Sequence, residues 1–273
     1  MPDSLTVSDQ VPDNLADLVR EAAARRPDVA ALIVGDRRLT WSDVDGQVDL
    51  AAAGLIESGL TQGDRLALLL GNSAEFVVAY FAALRAGLVA VPLNPGFTPP
   101  EIARLLDHSG ARVVVADQAS LGALRATDTE IQVVVTGGSV AGETRFDELV
   151  ESGHGRSPVT SHMTAEQLAV ILYTSGTSGD PKGAMLTHRA LRASVEQVAA
   201  STPIVGTDDV VLMVLPLSHI YSLNGTLGAV VRQAATMVVQ NGFAPDEALQ
   251  LVRDQGVTNI AGAPAMWAAW STR

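Results

Sequence analysis

No cysteine occurs in the 273 residues, which excludes disulfides, thiolate metal sites and thiol catalysis. Lysine is almost as scarce: Lys182 stands alone among eighteen cationic side chains, and the other seventeen are arginines. Aromatic residues make up 4% of the chain, and Trp267 and Trp270, spaced i, i+3, are expected to pack in a core. Basic charge is outweighed by acidic charge, giving a net charge of −12. That balance argues against a nucleic-acid surface, which needs basic patches. No stretch approaches the ~18 apolar residues of a membrane span; "FVVAYFAAL" (76–84) stops at Arg85. The first residues, "MPDSLTVSDQVPDN", lack the basic start and apolar run of a signal peptide. Together these absences predict a soluble, cytoplasmic protein without a transmembrane segment.

What is present suits a globular chain with a sizeable core: 47% apolar and 18% charged residues. Residues 1–12 read as a loose tail, and 14–25 as a helix with Leu15, Leu18, Val19 and Ala22 on one face. "ALIVGDRRLTW" predicts a hairpin turning at Gly35-Asp36. Apolar strands are expected at 65–70, 88–92, 112–116, 131–136 and 168–173, and again at 209–215, 236–239 and 257–261. Helices lie between them, one of them over 245–255. Asn72 with Glu75, and Thr98 with Glu101, form capping-box patterns. Residues 137–167 read mostly as a connection. Strands rich in Val, Leu and Ile alternating with helices imply an α/β fold with mostly parallel, helix-covered strands. The expected architecture is two packed sheets, or one sheet with a second forming against it.

The lone lysine falls in "YTSGTSGDPKGAMLTH" (173–188). Glycines at 176, 179 and 183 permit close backbone approach, and the Ser and Thr hydroxyls can donate to anionic oxygens. An ammonium on a flexible stem suits a phosphate. The string follows the apolar strand "LAVILYT" and leads through "GAMLTH" to a helix, so it would cradle an anion at a strand end. It is not the pattern G-x-x-x-x-G-K-[ST], because Pro181 precedes the lysine and Gly183 follows it. Residue chemistry alone leaves two readings open, a phosphate cradle and an ordinary surface loop.

The string Tyr173 to Gly183 resembles the signature loop of the adenylate-forming superfamily, which includes acyl- and aryl-CoA synthetases, luciferases and peptide-synthetase adenylation domains. "LTWSDVDGQVDLAAAGL" (39–55), "ALRAGLVAVPLNP" (83–95) and "LPLSHIYSLNGTLGAVVRQAATMVV" (215–239) resemble further segments of the family. The last is most similar to 4-coumarate-CoA-ligase-like and fatty acyl-CoA synthetases. The resemblance implies the N-terminal part of the large AMP-binding domain over 13–273. Its first α/β subdomain would cover roughly 13–190 and its second would start in 191–273, without the C-terminal lid domain.

The reaction so implied joins a fatty or aryl carboxylic acid to ATP, with Mg2+, and passes the acyl group to coenzyme A. Thr174, Ser175, Gly176, Thr177, Ser178 and Gly179 would hold the phosphates, with Thr174 and Lys182 as the catalytic pair. Lys182 would stabilise the departing pyrophosphate. His219, Tyr221 and Ser222 would line the acyl pocket, with Gly262 and Ala263 in "NIAGAPAMW" (259–267) forming another wall. Ser218 departs from the aromatic residue usual before this histidine. Without the family, His219 reads as a strand-end histidine bonded to a carbonyl, His188 as a helix cap, and His108, His154 and His162 as surface residues.

The family's "Y-G-x-T-E" and "T-G-D" motifs, its hinge and its C-terminal lysine do not occur in this sequence. No metal-ligating residue is therefore assigned. Two classes of function stay open: an acid–CoA ligase represented by its N-terminal part, and a non-catalytic nucleotide- or partner-binding remnant. Within enzymes, acyl-AMP ligases and peptide-synthetase adenylation domains are the further alternatives. The 273 residues by themselves are expected to be inactive and to self-associate through an exposed second sheet.

Overall fold

The alternation in Arg65–Leu69 sets the layering of the molecule. Leu66 and Leu68 point into one apolar cluster, and Ala67 and Leu69 into another on the opposite face. A strand buried on both faces must have helices above and below it. The computed structural model describes residues 14–138, 142–159, 163–174, 182–201 and 204–272. The expected tail, His162 and the string 175–181 lie outside the described residues.

The chain opens with α1 (Asp17–Arg25), the hairpin β1 (Ala30–Val34) and β2 (Arg37–Thr40), and α2 (Trp41–Glu57). Then come β3 (Arg65–Leu69), α3 (Ala74–Arg85), β4 (Val89–Pro92), α4 (Pro99–Ser109), β5 (Ala111–Asp117) and α5 (Gln118–Arg125). They are followed by β6 (Gln132–Thr136), β7 (Thr144–Arg145), α6 (Phe146–Ser152), β8 (Leu168–Thr174), β9 (Lys182–Thr187) and α7 (His188–Ser201). The remainder is β10 (Val210–Met213), a π-helical stretch at Tyr221–Leu227, α8 (Gly228–Gln233), β11 (Thr236–Val239), α9 (Pro245–Asp254), β12 (Asn259–Ile260) and α10 (Pro264–Ser271).

These strands form two sheets. The larger has the order β7-β6-β5-β3-β4-β8-β9 and is parallel except for β8 against β9. The smaller has the order β12-β10-β11-β1-β2 and is parallel except for the β1–β2 hairpin. Strands from the first forty residues therefore complete a sheet whose other members lie beyond residue 209. One cluster, containing Leu66, Leu68, Phe76, Tyr80, Val211 and Met237, fills the space between the sheets. Helix α3 runs through it buried on every side.

Outside this centre, α4 and α5 cover the far face of the larger sheet, and α9 and α10 that of the smaller one. The expectation of an exposed second sheet is thus corrected, because Leu212, Val214 and Val238 pack under Ala248 and Met266. Arg85 ends α3 at 1% exposure. Its guanidinium meets Asp45 at 2.6 Å and Asp49 at 3.0 Å, both on α2.

Several local expectations need correction. The cap of α3 is Ser73, whose hydroxyl accepts from Phe76 N at 3.1 Å, while Glu75 pairs with Arg37; Asn72 plays no capping part. The Thr98–Glu101 box forms as expected. The connection 137–167 contains β7 and α6, and α6 sits so close to α2 that a Cβ on Gly54 would overlap the Leu149 carbonyl. His188 does not cap α7. It is buried, with Nδ1 accepting from Leu15 N at 3.0 Å, and Thr187 Oγ1 accepts from Ala190 N instead. No described helix is long and apolar enough to cross a membrane.

Candidate active site

β8 leaves the interior of the larger sheet and its partner β9 returns along the edge. Their antiparallel register places Thr174 across from Lys182, Tyr173 across from Gly183 and Leu172 across from Ala184. "KGAMLT" is therefore itself a strand, and it leads directly into α7, as expected. The string 175–181 joins two hydrogen-bonded strand ends. Ser175, Gly176, Thr177, Ser178 and Gly179 lie outside the described residues, as does the side chain of Thr174.

Gly183 fits this ladder for a steric reason. A Cβ there would stand 2.7 Å from Ile171 Cγ2 and 3.3 Å from Tyr173 Cε1. The Tyr173 ring lies edge-on to His108, 5.6 Å between centroids, and its hydroxyl is 2.8 Å from His108 Nδ1. Burial pushes the Tyr173 phenol above its ordinary pKa. His108 is exposed, as expected, yet it braces the residue just before the glycine-rich string. His154 is exposed and lies near Glu151.

Lys182 is exposed and makes no ion pair among the described residues. The arginines behave differently: Arg20, Arg85, Arg192 and Arg232 each hold an acidic partner within 3.0 Å. These guanidinium forks serve the scaffold, and the one ammonium stands exposed at the start of β9.

His219 and Tyr221 project at the carboxyl end of β10, both exposed. His219 N donates to Pro216 O at 3.0 Å, and its carbonyl accepts from Leu223 N at 2.8 Å, so it opens the π-helical stretch. Ser222 is 2% exposed and donates to Leu215 O at 2.9 Å, which holds its hydroxyl inside this turn. Ser218 is buried beside it. Gly262 and Ala263 follow β12, the neighbour of β10, at the same end of the smaller sheet. A Cβ on Gly262 would come within 2.9 Å of the Trp267 indole.

Trp267 is 47% exposed, which corrects the expectation of a core residue. Trp270 does pack, edge-on to Phe243 and donating to Pro245 O at 2.9 Å. An exposed indole against a glycine in the candidate wall is a feature the i, i+3 spacing did not suggest.

The carboxyl ends of the two sheets meet at Asn72, just past β3. Its side chain bonds to Leu215 O and Gln240 O, which follow β10 and β11. Thr174 ends β8, two strands from β3 in the larger sheet, which is roughly 10 Å across the ladder. The loop bearing Lys182 and the turn bearing His219 therefore belong to one end of the molecule. A surface cavity of about 640 Å³ lined by Arg104, Asp107 and Glu130 lies elsewhere, by the start of β5 and β6. Among the described residues no cluster of His, Asp or Glu could hold a metal ion.

Comparison with known proteins agrees with this layout. The family described as AMP-binding enzyme matches residues 19–272. A 4-coumarate–CoA ligase of Oryza sativa subsp. japonica is 40% identical over 263 residues, covering 94% of this chain and 48% of the relative. The anthranilate CoA ligase AuaEII, solved with anthranoyl-AMP, shares the fold at a TM-score of 0.86 and 24% identity, over 94% of this chain and 51% of that one. A Mycobacterium tuberculosis fatty acyl CoA synthetase superposes at 0.79 with 26% identity, over 94% of this chain and 51% of that chain. The chain spans about half the length of the relatives it matches. With its two helix-flanked sheets and a match running over almost all of the described chain, it belongs to the AMP-binding enzyme family.

Proposed function

We propose that this chain supplies the nucleotide and acid sites of an AMP-forming acid–CoA ligase. The observation that carries the reading is the position of Lys182: the only lysine, exposed and without an ion pair among the described residues, across the ladder from Thr174 where the glycine-rich string begins. In the first step a carboxylate oxygen attacks the α-phosphorus of ATP, the bond to the bridging oxygen breaks, and pyrophosphate leaves. In the second, the thiol of coenzyme A loses its proton and attacks the acyl carbon, and AMP leaves.

The chain's contribution is charge neutralisation and alignment, the main demands of phosphoryl chemistry. Thr174, Ser175, Gly176, Thr177, Ser178 and Gly179 take the β- and γ-phosphates, and Lys182 meets the charge growing on pyrophosphate. Magnesium enters with the nucleotide; no residue described here is assigned to it. His219, Tyr221, Gly262 and Ala263 border the acid site. The exposed Ile220 and Tyr221 at this border favour an acid with an apolar or aromatic body, whereas Leu217 and Leu223 beside them are buried in the core, and the 4-coumarate–CoA ligase relatives support an aryl acid. The cytoplasm, where ATP and coenzyme A are both supplied, is the compartment we assign.

Phosphorus NMR of ATP with magnesium at millimolar concentration tests the reading on the chain itself. The β- and γ-phosphate resonances should broaden with the unmodified chain and sharpen again with Lys182→Ala. Resonances that ignore the protein, or respond equally to both forms, would refute the phosphate assignment.

A further inference from the structure

The Asn72 side chain is 6% exposed and reaches three separate stretches of backbone. Its Oδ1 accepts from Leu217 N at 2.9 Å. Its Nδ2 faces Leu215 O at 3.0 Å, Gln240 O at 3.2 Å and, at the limit of hydrogen bonding, Met213 O at 3.5 Å. An amide has two donor hydrogens and one acceptor oxygen, so this is nearly its full capacity. The partners are groups at the ends of β10 and β11 and in the turn that follows β10, where the sheet ladder runs out; of them, Met213 O still accepts from Gln240 N at 3.1 Å.

Asn72 is itself held from both sides. Gly71 N donates to Asp117 Oδ2 at 2.9 Å, fixing the end of β3 to the end of β5. Ser73 caps α3. Gly71 also lies so close to the other sheet that a Cβ there would overlap the Asn241 side chain. The junction between the carboxyl ends of the two sheets therefore runs through one rigidly mounted amide. Two residues beyond Leu217 stands His219, and its neighbours Ile220 and Tyr221 are exposed. The tip of the turn has little packing of its own to fix it.

We infer that Asn72 is a positioning residue: it sets the location of the His219–Tyr221 turn relative to the carboxyl end of the larger sheet. The functional importance of that placement rests on the reading of His219 and Tyr221 as the border of the acid site. An apolar side chain of similar size would take from Leu217 N and Gln240 O their partner, whereas Leu215 O keeps the Ser222 hydroxyl and Met213 O keeps Gln240 N; a buried group left unpaired costs more than a hydrogen bond contributes. The effect would be felt first at the turn and only secondarily in the cores.

Amide hydrogen exchange on the 273-residue chain tests this directly. In Asn72→Ala the Leu217 and His219 amides should exchange at least about tenfold faster, beyond any change at Val238 in the middle of β11. Equal acceleration at Leu217 and Val238 would mean a general structural role only, and no acceleration at Leu217 would mean no role. If Asn72→Ala does not fold, the unmodified chain decides. The Asn72 side-chain amide protons should exchange as slowly as the Leu217 amide, and rapid exchange overturns the inference. Titration with 4-coumarate, read at the His219 ring resonances, separates the two layers. An unmodified chain without a saturable shift sinks the acid-site reading and leaves the exchange result standing for Asn72. A saturable shift with an unchanged midpoint in Asn72→Ala removes Asn72 from that site.

Discussion

Lys182 lies across the β8–β9 ladder from Thr174, so the ends of the glycine-rich string are tied within about 5.5 Å of each other. The ammonium thus starts from a fixed root beside the strand that delivers the loop. In a catalytically active protein containing this chain, Lys182→Ala should slow ATP–pyrophosphate exchange by ~10²-fold while changing the affinity for the acid little. Lys182→Arg should recover only part of the rate, since a planar fork does not replace a point charge. Undiminished exchange in Lys182→Ala would remove the lysine from the chemistry.

Gly183→Ala should destabilise the fold by about 1–3 kcal/mol, the usual cost of overpacking. The new methyl meets Ile171, stiff at χ1, and the Tyr173 ring. Denaturant unfolding measures the cost. A displaced Tyr173–His108 contact should appear as shifted His108 ring resonances, and an unperturbed His108 would show that the ladder absorbs the methyl elsewhere.

Arg85 is the one fully buried arginine among the described residues, paired with two aspartates on α2. Arg85→Met should cost about 1–3 kcal/mol by leaving Asp45 without its partner and Asp49 with Arg20 alone, both carboxylates being partly solvated. Adding Asp45→Asn and Asp49→Asn should return much of the loss. A triple variant no more stable than the single would place the cost in packing and not in charge.

Much of this scaffold was legible because its signals are local. The Thr98–Glu101 box, the Gly35-Asp36 hairpin and the strand 236–239 each depend on a few adjacent residues. Asn72 was misread because a capping motif and a long-range staple look alike in sequence; only the partners at 213–217 and 240 tell them apart. β9 was missed because an edge strand with exposed Lys182, Ala184 and Met185 has no apolar alternation to announce it. The junction of β1 with β11 could not be read at all, since strand order is a property of the assembled sheet.

Acid should weaken the fold through its caps and turns. Asp43 is held below its ordinary pKa by the Thr40 backbone and hydroxyl donors, and Asp209 by Gly206 N and then Thr258. A carboxyl whose folded pKa lies below its unfolded value stabilises above that unfolded value, near 3.8. That stability is lost as pH falls through the folded pKa. Urea midpoints should therefore drop below about pH 4, and Asp43→Asn with Asp209→Asn should flatten this part of the profile. An unchanged slope in the double variant would assign the acid lability to other groups.

The 273-residue polypeptide by itself should give no multiple turnovers of acyl-CoA. Its sequence holds neither the "Y-G-x-T-E" nor the "T-G-D" motif, and groups that act as a catalytic unit are lost non-additively. Incubation with ATP, magnesium, coenzyme A and a panel of aryl and fatty acids, followed by mass spectrometry, tests this. Sustained product would show that the phosphate loop and acid site suffice.

The placement of β1 beside β11 also governs how the chain must be born. Thr236 donates to the Ala30 carbonyl across 206 positions of sequence. At ribosomal speeds of about 5–20 residues per second, the first hairpin waits roughly 10–40 s for its neighbour. During that interval Leu32 and Ile33, both buried in the finished sheet, have no partner strand on one side. Nascent chains stalled before residue 236 should bind hydrophobic dyes and chaperones, whereas chains that have released β11 and β12 from the ribosome should not.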